Sequence, residues 1–219
     1  MAMFLKEKEE LVEYSLKLFR DKLIVGTWGN LSLRVRDGKR DLFLVTPSGM
    51  DYEKTHIEDI VVVDEKGNII EGKRKPTSEL KMHLDIYDSR KDVNAVFHTH
   101  STCATACAVA GAEIPMIVED MVQQIGGEVR VARYALPGTD ELAKNVVDAL
   151  ENRNGVLLKN HGAVGIGKYG TDAYKACVLI EKSAQILIYA KILGNVDLIH
   201  REDADKMVDY YNNQYGQRP

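Results

Sequence analysis

Two of the six histidines, His98 and His100, stand one residue apart at the end of an apolar run, Asn94-Ala95-Val96-Phe97. In a strand, residues i and i+2 point to the same face. Both imidazoles can therefore aim at one point just beyond the strand. Two convergent neutral imidazoles begin a zinc site, which takes a third protein ligand and, if catalytic, keeps one position open. Alone, a His-x-His pair is also what chance produces. A second apolar run, Gly155-Val156-Leu157-Leu158, leads into Lys159-Asn160-His161-Gly162. Another strand thus ends in a histidine, and Gly162 lets the backbone turn away sharply.

Glu79, in Pro76-Thr77-Ser78-Glu79, is the candidate base. A carboxylate beside zinc can occupy the open position at rest. Displaced by a substrate's oxygens, it is free to take a proton from the adjacent carbon, while the metal stabilises the resulting enediolate as a Lewis acid. The plainer reading of Glu79 is an exposed carboxylate favoured by the helix dipole. Thr77 and Ser78 stand at a helix N-terminus, where free amides and the dipole favour anions. Gly29-Asn30 and Ser48-Gly49 are two further loops of small residues with a hydroxyl or an amide. Together the three loops can enclose one phosphate without a lysine, although each alone is also ordinary turn chemistry.

The elements that must position these groups follow from periodicity. An amphipathic helix runs from about Phe4 to Lys22, with Leu11, Tyr14 and Leu18 at helical spacing. Leu31 to Arg36 alternates as a strand, and Asp37-Gly38 turns it into Leu42 to Thr46, a hairpin. Ile60 to Asp64 is a strand that turns through Lys66-Gly67-Asn68 toward Ile69-Ile70. A helix carrying Leu80, Met82, His83, Ile86 and Tyr87 follows, with Thr77 or Ser78 as its N-cap. A small-residue helix runs from about Ser101 to Val109 and closes at Gly111. Pro115 to Tyr134 shows no clear period: Gly126-Gly127 breaks it, and Val129 to Tyr134 alternates like a strand. Thr139 caps a helix from Asp140 to about Glu151. Ala163 to Gly167 continues as a strand after the Asn-His-Gly turn. A long helix from about Thr171 to Leu193 ends at Gly194, and a last helix spans Glu202 to about Asn213. Strands and helices mix, with no repeat or linker, so one domain over residues 1–219 is expected, an antiparallel-rich sheet with helices on its faces.

The chain's 219 residues, 28% charged and 45% hydrophobic, are those of a soluble globular protein. A net charge of −4 argues against an extended nucleic-acid-binding surface. No apolar run has the length of a membrane span, and the first ten residues lack a signal-peptide core. Three cysteines, Cys103, Cys107 and Cys177, form no disulfide framework. Reduced thiols and a cytoplasmic location are expected. Cys103 and Cys107 read as helix packing, with a fourth metal ligand as the sharper alternative. His83, one helical turn after Glu79, reads as packing or as support for the site from behind. His56 and His200 read as solvated, Tyr134 and Thr139 as structural.

Gly26-Thr27-x-Gly29-Asn30-Leu31-Ser32, Thr46-Pro47-Ser48-Gly49, Pro76-Thr77-Ser78-Glu79, His98-x-His100 and Asn160-His161-Gly162 occur in that order. Together they resemble the zinc-dependent class II aldolase family of fuculose-1-phosphate aldolase and ribulose-5-phosphate 4-epimerase. The resemblance implies a three-layer α/β/α fold with a central, mostly antiparallel sheet. It implies one Zn2+ per subunit on His98, His100 and His161, with Glu79 as resting ligand and proton-transfer residue. Gly29, Asn30, Ser48, Gly49, Thr77 and Ser78 would hold the substrate phosphate. It further implies a homotetramer with active sites between neighbouring subunits, and no nucleic-acid or membrane partner. Where the aldolases carry a tyrosine donated by the adjacent subunit, this chain has Asp120, as the epimerases do. The tail Tyr215-Gly216-Gln217 matches a C-terminal tyrosine that reaches a neighbouring site in both branches. The epimerase histidine near the C-terminus has no match, since Tyr210 or Tyr211 falls there. The leading expectation is an aldolase that releases dihydroxyacetone phosphate and an aldehyde from a fuculose-1-phosphate-type ketose. A 4-epimerase, a methylthioribulose-1-phosphate dehydratase-like lyase, an adducin-like scaffold that would have lost its ligands, and a zinc hydrolase are the alternatives. Zinc over manganese or cobalt is not decided by imidazole and carboxylate ligands.

Overall fold

In the computed structural model, which describes residues 3–38 and 40–215, one eight-stranded sheet forms the middle layer. Helix α1 (Leu5–Arg20) precedes the hairpin β1 (Asn30–Asp37) and β2 (Arg40–Val45). Strands β3 (Val61–Val63) and β4 (Ile69–Glu71), helix α2 (Leu80–Ser89), strand β5 (Ala95–Thr99) and helices α3 (Thr102–Ala110) and α4 (Glu119–Ile125) follow. Then come β6 (Arg130–Ala132), α5 (Asp140–Leu150), β7 (Gly155–Leu158), β8 (Gly162–Gly167), α6 (Gly170–Leu193) and α7 (Arg201–Asn213). The order across the sheet is β4-β3-β2-β1-β5-β8-β7-β6. Every pairing is antiparallel except β6 with β7. The expected α/β/α architecture with a mostly antiparallel sheet is the one observed.

Alternation along the strands builds both interfaces. In β2, Leu42 and Leu44 pack with Leu11 and Leu18 of α1, while Phe43 and Val45 pack with Met82 and Ile86 of α2. Helices α2 and α5 thus cover one face, α1 and α6 the other. Helices α3 and α4 extend that second layer over Leu157 and Ala163, with α6 running beneath them. The core of α6 uses small side chains, Ala173, Ala176, Cys177 and Ala184, which let it lie close on β5 and β8.

Several expectations need correction. The segment without a clear period contains α4, which Gly126 terminates in a left-handed conformation (φ 90°). The strand expected from Val129 to Tyr134 is only three residues, and Tyr134 is exposed rather than packed. Neither Thr77 nor Ser78 is the N-cap of α2: Glu79 holds that place without a side-chain cap. Thr77 Oγ1 instead accepts from the Glu79 amide at 3.3 Å and shapes the turn before the helix. Thr139 does cap α5, accepting from Leu142 N. All three cysteines are free. His56 and His200 are exposed, as expected.

Candidate metal centre and active site

The three histidines come together because β5 and β8 are bonded neighbours. His98 pairs with Val164 and Thr99 with Ala163, and Leu158 pairs with Gly162 to close the β7–β8 hairpin. Its turn, residues 159–161, is held by His161 N donating to Leu158 O at 3.0 Å. Asn160 sits there at φ 58°, a left-handed conformation that asparagine tolerates better than most side chains. Gly162 passes so close to β5 that a Cβ on it would lie 2.3 Å from the Thr99 carbonyl oxygen. That contact sets the His161 ring beside His98.

The ring centroids are 4.7, 4.7 and 4.9 Å apart, and one nitrogen from each ring lies within 4.8 Å of the others. His98 is fully buried, and its Nδ1 donates to the Ala163 carbonyl at 2.9 Å. Its Nε2, which carries a lone pair when the ring is neutral, lies 2.8 Å from His100 Nε2 and 3.2 Å from Glu79 Oε2. An acceptor facing a ring nitrogen and a carboxylate is the environment of a cation. Nitrogens on a tetrahedral zinc with bonds near 2.0–2.1 Å stand roughly 3.4 Å apart, so the triad fits such an ion. Burial alone lowers the His98 pKa, but Glu79 and the Ala163 carbonyl more than offset that and raise it above the ordinary value. His100 is pushed down to about 3 and His161 to about 4, by burial first and then by the His98 charge. Both are neutral at physiological pH, as ligands must be. The cysteines do not join the triad.

Glu79 is 5% exposed. Burial alone would raise its pKa, but His98, His161 and Asn30 together hold it well below the usual carboxylate range. Oε2 accepts from Asn30 Nδ2 at 2.9 Å. Oε1 is buried without a hydrogen-bond partner and faces His161 Nε2 at 3.7 Å. One oxygen is thus anchored and the other left open beside the triad.

Three loops wall the cavity in front of it. Ser48 N bonds Lys75 O at 2.9 Å and Thr77 N bonds Thr46 O at 3.1 Å, joining the second and third loops. The first loop is tied on by Thr46 N to Leu31 O, 3.0 Å, and by Tyr52 Oη to Gly29 O, 2.5 Å. At Gly29, φ is 100° and a Cβ would lie 2.8 Å from the His98 carbonyl oxygen. The cavity, about 390 Å³, is lined by all six expected loop residues together with Glu79, His100 and His161. Among the described residues no lysine or arginine lines it; Trp28, Pro47 and Pro137 supply apolar wall. Trp28 and Pro137 were not singled out from sequence. The chain's one tryptophan, standing beside Gly29, was the available signal.

Asp120 and Tyr215 lie outside this cavity. Asp120 is in the first turn of α4, half-exposed and paired with Lys182. Tyr215 stacks on Tyr211 and lines a separate cleft with Asn154 and Gly167. Gly167 is the far end of β8 from His161, about 17 Å of strand away. Gly216 and Gln217 of the tail motif lie outside the described residues.

A family model described as Class II Aldolase and Adducin N-terminal domain matches residues 9–188. The 5-deoxy-D-ribulose 1-phosphate aldolase of Bacillus thuringiensis is 37% identical over 213 residues, 97% of this chain and 98% of that protein. The L-fuculose phosphate aldolase of Methanococcus maripaludis is 37% identical over 81% of this chain and 93% of its own length. A solved L-fuculose 1-phosphate aldolase superposes with a TM-score of 0.91 at 38% identity, covering 97% of this chain and 98% of that one.

Proposed function

Since this chain belongs to the class II aldolase and adducin N-terminal domain family, and so carries that family's metal-dependent lyase site, we propose that it cleaves a ketose 1-phosphate reversibly to dihydroxyacetone phosphate and an aldehyde. The observation that carries this reading is the buried Glu79 Oε1, without a hydrogen-bond partner beside the histidine triad, in a residue that lines a cavity walled by the three loops. A divalent metal held by His98, His100 and His161, most simply Zn2+, supplies Lewis-acid stabilisation of the negative charge that cleavage leaves on the ketose oxygens. The chain's own residues do the rest. The backbone amides and hydroxyls of Gly29, Ser48, Gly49, Thr77 and Ser78 hold the phosphate, with the second N–H of the Asn30 amide. Glu79, ionised and with one oxygen free, takes a proton from the carbon next to the carbonyl in the condensation direction and, so protonated, returns that proton to the same carbon in cleavage. The intact triad supports an enzyme over a scaffold.

The names of the relatives describe sugars that end in a methyl group, in both the fuculose and the 5-deoxyribulose case. The apolar wall of Trp28, Pro47 and Pro137 supports such an end, so the substrate is a deoxyketose 1-phosphate of the fuculose type. The near-complete coverage by the Bacillus relative favours 5-deoxyribulose 1-phosphate as a second reading. The test is to incubate zinc-loaded protein with each compound and couple dihydroxyacetone phosphate to NADH oxidation. Turnover of either supports the proposal; no dihydroxyacetone phosphate from both sinks it.

The same reading takes the whole chain as one domain and the working form as a homotetramer. Asp120 and Tyr215, remote from their own cavity, would then serve a neighbouring one. No helix among the described residues is long and apolar enough to cross a membrane. Three free thiols support a cytoplasmic location.

A further inference from the structure

Behind Glu79 runs a line of buried polar groups whose hydrogen bonds can point only one way. A carboxylate accepts and cannot donate, so Asn30 must present its amide N–H to Glu79 Oε2, 2.9 Å away. That turns Asn30 Oδ1 toward His83 Nε2, at 2.6 Å. An amide oxygen only accepts, so His83 must carry its proton on Nε2. Burial keeps the ring neutral, its pKa pushed down to about 3, so Nδ1 is the acceptor and Ser32 Oγ, 2.6 Å off, donates to it. The Ser32 hydroxyl proton being so engaged, Tyr87 Oη is the donor to Ser32, 2.9 Å from both its Oγ and its carbonyl. Ser32 and His83 are 0% exposed and Tyr87 1%, so no water competes along the line behind Asn30. Four groups from β1 and α2 thus donate in one direction, ending on the carboxylate.

We propose that His83, as the neutral Nε2–H tautomer, is a positioning residue that locks the Asn30 amide with its N–H toward Glu79 and so keeps Glu79 Oε2 anchored and Oε1 free. The amide has two orientations. With Oδ1 turned toward Glu79 it would face a like partial charge and drive the carboxylate off its place. Only the His83 N–H makes the productive orientation the better one on both sides. Removing that donor lets the amide rotate and the carboxylate wander, even though neither His83 nor Tyr87 touches the cavity. Outer partners of this kind are worth 10–100-fold in activity or metal affinity.

The inference rests on the aldolase reading for its catalytic consequence but not for its geometry, and the test separates the two. His83→Gln keeps an N–H near the Nε2 position; His83→Asn keeps only a group near Nδ1. In zinc-loaded protein at pH 7.5, long-range proton–nitrogen spectra of labelled histidine should show His83 as the Nε2–H tautomer. The Asn30 side-chain amide resonance should persist in His83→Gln and shift or broaden in His83→Asn. Exchange of the carbon-bound proton of dihydroxyacetone phosphate with deuterated water should stay within about threefold of wild type in the first variant. It should fall about 10–100-fold in the second, with zinc content equal. An Nδ1–H tautomer overturns the proposal, as do equal exchange rates in two folded variants. If wild-type protein exchanges no proton and cleaves no ketose, the aldolase reading fails, and the tautomer with the Asn30 resonance still decides the positioning claim. Should His83→Asn not fold, the wild-type tautomer decides alone.

Discussion

A buried carboxylate touching a buried imidazole is a trap for a proton when no cation is there. Glu79 and the Ala163 carbonyl raise the His98 pKa against the effect of burial, whereas His100 and His161 stay neutral down to about 3 and 4. The sign for metal uptake follows. Below the raised range of His98, zinc must displace one proton, so affinity falls as pH drops, by about tenfold per unit. His100 and His161 contribute nothing to that slope above pH 5. Calorimetry at pH 6 in buffers of different ionisation heat should therefore report about one proton released per zinc. Three imidazoles of ordinary pKa would together release about two. A count of two or more would show that the neighbours of His98 do not control the site. At this scale the sequence was most informative. His98-x-His100 and His161-Gly162 are local patterns whose meaning needs only strand geometry. The Asn30–His83 bond, between residues 53 apart, depends on how β1 meets α2, and no local pattern announces it.

Elements were legible where their period is long or clean. Leu31 to Val35 alternates and Leu42 to Val45 is an apolar run beyond the Asp37-Gly38 turn, and both became paired strands of the hairpin. The long small-residue helix α6 ends at Gly194 as expected. Helix α4, by contrast, has seven residues between two breakers, too few to display a helical repeat, and β6 owes its three residues to the parallel partner β7. Such elements exist because the layers around them do. The crossing of β5 and β8 is the most constrained junction in the fold, and it yields a prediction of its own. Gly162→Ala would place a methyl 2.3 Å from the Thr99 carbonyl oxygen, which backbone cannot accommodate in place. The strands must part, at a cost of about 1–3 kcal/mol, and His161 moves off the other two rings. Denaturant unfolding and zinc analysis of the variant should show a lower midpoint together with substoichiometric metal. Full zinc at wild-type stability would mean that the close approach does not set the triad.

At the scale of the whole molecule, one chain brings together the histidine triad and the three loops of the cavity but not every expected catalytic side chain. Tyr215 lies by the opposite end of β8, too far to serve its own cavity. If neighbouring copies exchange this residue, two inactive proteins should repair each other. Co-expressed Glu79→Gln and Tyr215→Phe chains would assemble sites with both groups intact at about a quarter of positions in a symmetric ring. Recovered activity near that fraction, from parents that are each nearly inactive, is the expected result. No recovery in verified mixed oligomers would confine Tyr215 to its own chain. The ligand-bearing strands have another consequence. His98 and the turn that carries His161 are fastened by a backbone ladder whose strands are packed on both faces by apolar side chains. In a zinc finger, stripping the ion with a chelator unravels the chain. Here the same treatment leaves an intact, empty receptacle, and refilling it with cobalt or manganese compares the chemistry of different ions without refolding the protein around them.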